Sequence, residues 1–174
     1  MKIGLDVLGG DFAPKAALHG AIMAQKELPK SDRIVLIGDQ ENILAFLKEE
    51  EISPELFDIV DAPDLIEMDE QPTKALLNKP NSSIAVGFRM LKHKEIHAFA
   101  SAGSSGAMMV GSIYSVNTIP GIIRPSTPAY IPKENGGSSV LIDVGTNPDA
   151  KPDVMYQFGI LGSLFAEHVF HVKK

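Results

Sequence analysis

The sequence predicts an α/β fold, a mostly parallel sheet with helices on both faces, and three observations carry that reading. Short aliphatic runs at residues 2–8, 33–37, 56–60, 96–100 and 140–145 alternate with segments whose apolar residues recur at helical spacing. The first runs stop at Gly9-Gly10-Asp11 and Gly38-Asp39, the tight polar turns that send a strand into a following helix. Strand-helix-strand alternation leads to parallel pairing with right-handed crossovers. The composition agrees: 174 residues, 44% hydrophobic and 22% charged, are ordinary for one globular domain with a sizeable core, and a single α/β domain over 1–174 is expected.

Taken in order, residues 2–8 form the first strand, and Pro14 suits the first position of a helix to about residue 28, with Ala17, Leu18, Ala21, Ile22 and Ala24 on its packing face. Residues 33–37 form the second strand, and 41–50 a helix with Ile43, Leu44 and Leu47 inward. Residues 56–60 form a third short strand, which enters the acidic, proline-punctuated stretch 61–72, read as a solvated loop. Asn81-Ser82-Ser83 caps a helix with Ile84, Phe88 and Leu91 on one face. The run at 96–100 leads into Ser101-Ala102-Gly103-Ser104-Ser105-Gly106-Ala107, a strand-to-helix turn. Its helix is apolar nearly all round and therefore expected to be buried, with Ala107, Gly111 and Ser115 as a close-packing ridge. A long irregular connection, 117–137, follows and contains Arg124. Residues 140–145 read as a buried strand of the same sheet, ended by the turn Thr146-Asn147-Pro148. The last helix runs from about residue 152 to 170.

Composition narrows the function. A net charge of −6 and a pI near 5.3 argue against a nucleic-acid partner, so an anionic ligand must be held locally. The absence of cysteine removes disulfides, thiolate metal sites and acyl-cysteine intermediates. Histidines 19, 93, 97, 168 and 171 have no metal-ligand spacing, so a metal is not expected and they read as structural or surface residues. The chain starts on its first strand without a signal-like segment, which predicts a cytoplasmic protein, and residues 154–172 carry too many polar groups to read as a membrane span.

The turn at 101–107 is the strongest candidate site. Glycines at 103 and 106 let a backbone approach a ligand, the new helix presents unpaired N–H groups, and Ser104 and Ser105 either cap that helix or donate hydroxyl hydrogen bonds. Asp6, Gly103 and Asp143 are each expected at the same end of a parallel strand, the edge where open α/β sheets gather ligands. Arg124 is either a phosphate-gripping guanidinium or a surface salt-bridge partner.

Together, Leu5-Asp6-Val7-Leu8-Gly9-Gly10-Asp11-Phe12-Ala13-Pro14, the turn 101–107, Gly121-Ile122-Ile123-Arg124-Pro125 and Asp143-Val144-Gly145-Thr146-Asn147 resemble the bacterial acyl-acyl-carrier-protein:phosphate acyltransferases of phospholipid synthesis. Pro72, Ala75, Ser82-Ser83 and the segments from Asp149 to Pro152 and from Gln157 to Ser163 extend the likeness over essentially the whole chain. The resemblance implies a three-layer α/β/α fold like that of isopropylmalate dehydrogenases and phosphotransacetylases, with no cofactor. It also implies attack of inorganic phosphate on the thioester of a fatty acyl-carrier protein, and a homodimer in the cytoplasm, with peripheral membrane association left open. It further implies catalytic roles for Ser104, Ser105, Arg124 and Asn147, and substrate binding by Asp6, Gly9, Gly10, Asp11, Lys74, Ser101, Gly103, Gly106 and Asp143.

Two departures stand out. Ser104 and Ser105 replace an Asn-Thr pair usual in the family, and Leu77 stands where many members have an arginine, leaving Lys74 and Lys79 as nearby cations. Members are considerably longer, so this chain is expected to be the N-terminal part of such an enzyme. Two other readings stay open: a non-catalytic module that binds acyl-carrier protein or a partner half, and a dinucleotide-dependent dehydrogenase domain, which lacks support because no Gly-x-Gly-x-x-Gly follows a strand.

Overall fold

A computed structural model describes residues 1–134, 136–145, 147 and 149–172. The chain forms two compact units, Met1–Asn117 and Thr118–Lys174. The first contains β1 (Lys2–Asp6), α1 (Lys15–Glu27), β2 (Arg33–Gly38), α2 (Gln40–Glu49), a 3-10 turn (Pro54–Leu56), β3 (Asp58–Asp61), α3 (Pro72–Asn78), α4 (Ser83–Lys92), β4 (Ala98–Ala100) and α5 (Ser105–Val116).

Its four strands form one sheet in the order β3-β2-β1-β4, and every pairing is parallel. β2 sits inside and alternates with period two: Ile34 and Leu36 join Leu18, Ile22, Ile43 and Leu47 of α1 and α2 on one face, while Val35 and Ile37 join Val86 of α4 and Ile96 on the other. Helix, sheet and helix therefore make three layers. Each of these fully buried side chains contributes about 1.5–3 kcal/mol of transfer free energy, which is what holds a sheet of such short strands. The first residues of three strands are also clamped by charge, with Lys2 Nζ 2.7 Å and Arg33 Nε 3.3 Å from the Asp58 carboxylate.

Helix boundaries follow local chemistry. The side chains of Asp39, Ser82 and Ser104 accept from Asn42, Ala85 and Ala107 N–H groups and cap α2, α4 and α5. On α2 the buried trio is Ile43, Phe46 and Leu47, not Ile43, Leu44 and Leu47; Leu44 is exposed because Phe46 takes the inward position. The acidic stretch is anchored at intervals. Ala62 and Ile66 are buried, Lys79 donates to Leu65 O at 2.7 Å and pairs with Glu70, and α3 follows at its end. That ion pair is also the first cause holding the Glu70 carboxyl below its ordinary range. α5 departs from expectation as well: Ala107 and Gly111 are buried, whereas Tyr114 and Val116 are exposed, so within this chain one face of the helix is covered and not all of it.

The second unit is built from β5 (Pro128–Pro132), β6 (Ser138–Ile142) and α6 (Pro152–Phe170). The run at 140–145 was expected to join the parallel sheet as a buried strand. Instead β6 pairs antiparallel with β5 in a separate two-stranded sheet, and its residues are half-buried or exposed. The supposedly irregular 117–137 connection thus contains a strand. Prolines at both ends disguise it, and an edge strand tolerates them because half its N–H groups face away from a partner. α6 packs on β6, where a Cβ at Gly162 would lie 2.8 Å from Ile142, and Val154 and Phe158 are its buried anchors. Among the described residues no helix is long and apolar enough to cross a membrane.

Candidate functional site

Two strand-to-helix turns interlock at the carboxyl ends of β1 and β4. Asp6, the last residue of β1, is 1% exposed and fully engaged. Its Oδ1 accepts from Leu8 N–H at 2.9 Å and Gly9 N–H at 3.1 Å, and its Oδ2 accepts from the Ser101 hydroxyl at 2.6 Å. The Ser101 oxygen in turn accepts from Gly103 N–H at 2.9 Å. One buried carboxylate therefore shapes both turns, and charge-assisted hydrogen bonds of this kind are the strong ones.

Glycine is demanded here by contact. A Cβ at Gly9 would fall 2.5 Å from Asp6 Oδ2 and 2.6 Å from Gly103 N, and Gly10 has φ +109°. Asp11, exposed on the same turn, follows directly.

Above this seam α5 begins. Ser104 is buried and its oxygen accepts from Ala107 N–H at 3.3 Å, so its position is that of a cap. Ser105 is exposed, and the N–H groups of Ser105 and Gly106 have no acceptor among the described residues. They sit at the positive end of a twelve-residue helix, an arrangement suited to an oxyanion or phosphate oxygen. The Gly103 N–H was expected in the same role; it is already donated to Ser101 and serves the turn instead. Gly106 abuts α3: a Cβ there would lie 2.6 Å from Pro72 Cγ. Lys74 is exposed in the first turn of α3, two residues after Pro72.

The remaining predicted residues lie in the second unit and form a polar knot of their own. Asn147 Nδ2 donates to Asp143 Oδ1 at 2.7 Å and to Pro125 O at 3.2 Å, while Arg124 donates to Asp149 O at 2.9 Å. Asp143 has φ +67° and follows an antiparallel strand, which overturns the expectation that it closes a parallel strand beside Asp6 and Gly103. Thr146 and Pro148 of that turn lie outside the described residues. Within the first unit the structure joins Asp6, Gly9, Gly10, Asp11, Ser101, Gly103, Ser104, Ser105 and Gly106, and within the second it joins Arg124, Asp143 and Asn147.

The Asp6–Ser101 bond spans 95 residues, and no periodicity or spacing in the sequence announces it. Ser101 reads locally as one more small turn residue, and the contact of Pro72 with Gly106 is equally invisible.

A parallel sheet flanked by helices, with a glycine-serine turn at the carboxyl end of its strands, makes this an α/β protein, and a phosphotransacetylase shares its fold. The EutD phosphotransacetylase from Staphylococcus aureus matches with a TM-score of 0.66 over 95% of this chain and 52% of that one, at 15% sequence identity. The chain belongs to the fatty acid synthesis protein family, whose model matches residues 1–174. It is similar to the phosphate acyltransferases of Brevibacillus brevis (40% identity over 169 residues, 97% of this chain and 50% of the relative) and Herpetosiphon aurantiacus (39% over 172 residues, 99% and 46%). The chain spans about half the length of the curated relatives it matches.

Proposed function

We propose that this chain carries the anion-binding part of a phosphate acyltransferase, which moves a fatty acyl group from acyl-carrier protein to inorganic phosphate. The observation that carries the reading is the α5 terminus, where the Ser105 and Gly106 N–H groups have no acceptor among the described residues and Ser105 is exposed, next to turns locked by Asp6, in a chain of this family. A phosphate oxygen attacks the thioester carbon, a C–O bond forms, the C–S bond breaks, and the carrier thiolate leaves and takes up a proton.

Phosphate is its own nucleophile, so no side chain of the protein needs to be acylated. Ser105 and Gly106 stabilise developing negative charge, and losing one such donor typically costs about 3 kcal/mol of barrier. Ser104 fixes the helix start. Asp6, Ser101, Gly9, Gly10 and Gly103 hold the two turns, Asp11 borders them, and Lys74 supplies a cation. In the second unit Arg124 offers a guanidinium for phosphate, positioned by the knot that includes Asp143 and Asn147. A cytoplasmic homodimer, one domain of a longer enzyme, belongs to the same reading; the exposed Met155, Tyr156, Ile160 and Leu164 on α6 support a covered surface there.

The test is acyl phosphate formation from an acyl thioester and phosphate, trapped as hydroxamate, by this chain joined to the second half of a relative. Arg124→Ala raises the phosphate concentration needed for half-maximal rate if the guanidinium grips phosphate. A joined, folded protein that forms no hydroxamate and only binds acyl-carrier protein would favour the non-catalytic module.

A further inference from the structure

A groove of about 540 Å³ extends from the Gly9–Gly10 turn between α1 and the sheet. Ile3, Leu5 and Ile34 supply its sheet side and Leu28 one end, while Ala16, Ala17, Gly20 and Ala24 supply its helix side. It is almost wholly apolar. Next to it lies the open edge of the sheet, for β4 is the last strand in the order, and its Ala98 and Ala100, paired with Ile3 and Leu5, are exposed. Parallel sheets are normally covered on both faces, and α1 and α2 cover this face over β2 but leave Ile3 and Leu5 of β1 only half-buried and Ala98 and Ala100 of β4 exposed.

We infer that the groove seats a helix from the half of the relatives' length that this chain does not span. Length is the first argument: relatives matching 97–99% of this chain are about twice as long, and so is the structure that shares its fold. The second is Gly20. Glycine inside a helix is weaker than alanine by close to 1 kcal/mol, and among the described residues a Cβ at Gly20 would meet nothing within 4 Å, so no contact among them explains it. A wall of alanine and glycine lets a second helix axis approach closely, as ridge-and-groove packing requires. The occupant follows from shape and length and holds whatever reaction the protein catalyses.

The chain has no cysteine, so Gly20→Cys and Met23→Cys each introduce a single thiol. The first lines the groove, and the second replaces a side chain that is 67% exposed outside it. Maleimide labelling of each site is followed by mass spectrometry in the chain alone and in the chain joined to the second half of the Brevibacillus brevis relative. Joining slows Gly20→Cys at least tenfold and leaves Met23→Cys within twofold; equal rates at Gly20→Cys overturn the inference. So does slowing that depends on the concentration of the chain alone, which would place a second copy in the groove, or protection by a long-chain acyl thioester, which would make it an acyl site. Gly20→Gln adds an independent reading. It raises the melting temperature of the chain alone by about 2 °C through helix propensity and lowers that of the joined protein, and a rise in both contradicts the seat.

Discussion

Asp6 has no solvent to soften its charge, so its two oxygens depend on the Leu8, Gly9 and Ser101 donors for their stability. The consequence falls on Ser101, which passes the arrangement on to Gly103. Ser101→Ala removes one donor from a buried carboxylate and leaves the Gly103 N–H without its acceptor. The expected loss is about 2 kcal/mol, read from the midpoint of urea denaturation at unchanged slope. A variant as stable as the parent would mean that the seam between the turns is incidental. This is the part of the site that sequence reading reached least. The Gly-Ser composition of 101–107 marked a strand-to-helix turn, but the division of labour within it, with Ser101 and Ser104 inward and Ser105 outward, comes from contacts between strands separated by 95 residues.

At the level of elements, the ridge on α5 works through Gly111. A Cβ there would lie 2.4 Å from the Phe88 ring, which itself stacks edge-on against Phe99 at 5.2 Å between centroids. Gly111→Ala gains about 1 kcal/mol of helix propensity but must displace two packed rings, at a cost of about 1–3 kcal/mol. Overpacking wins, and the melting temperature falls. Gly20→Ala, with open space around it, should move the other way, and the opposite signs are themselves a check on the packing.

The helix ridge was legible from spacing because α4 and α5 are near in sequence and their small residues recur every four positions. The fate of residues 140–145 was not. An aliphatic run reads the same in a buried parallel strand as in a hairpin, and only the partner, the proline-bounded β5, decides.

For the whole molecule, β1 and β2 with the helices that follow them are legible in the first unit because their aliphatic runs alternate with helical periodicity, whereas α3 (Pro72–Asn78) was not read from the sequence. The charge clamp at the amino ends of β1, β2 and β3 contributes to acid stability. Asp58 is held below the ordinary aspartate range, first by its hydrogen bond to Lys2 and then by the charges of Lys2 and Arg33, against a desolvation that raises it. A depressed folded-state value means that the stabilisation is complete above the unfolded value, near pH 4, and is lost as pH falls through the folded one. Both partners are substantially exposed, which limits the contribution to under about 1 kcal/mol. Asp58→Asn therefore lowers stability slightly at pH 7 and flattens its decline between about pH 5 and pH 3. Parallel curves for the two proteins would show that the clamp is solvated away.

The central claim is that the exposed start of α5 stabilises charge developing in acyl transfer to phosphate. The measurement that meets it most directly is the steady-state rate of hydroxamate-trapped acyl phosphate against phosphate concentration, for the joined protein and its Ser105→Ala variant. Loss of a hydroxyl that acts mainly in the transition state lowers kcat by about tenfold or more, with the phosphate KM within about threefold. An unchanged kcat in a folded variant would contradict the account, because Ser105 is the one side chain of the turn that the structure leaves facing outward with its hydroxyl uncommitted among the described residues.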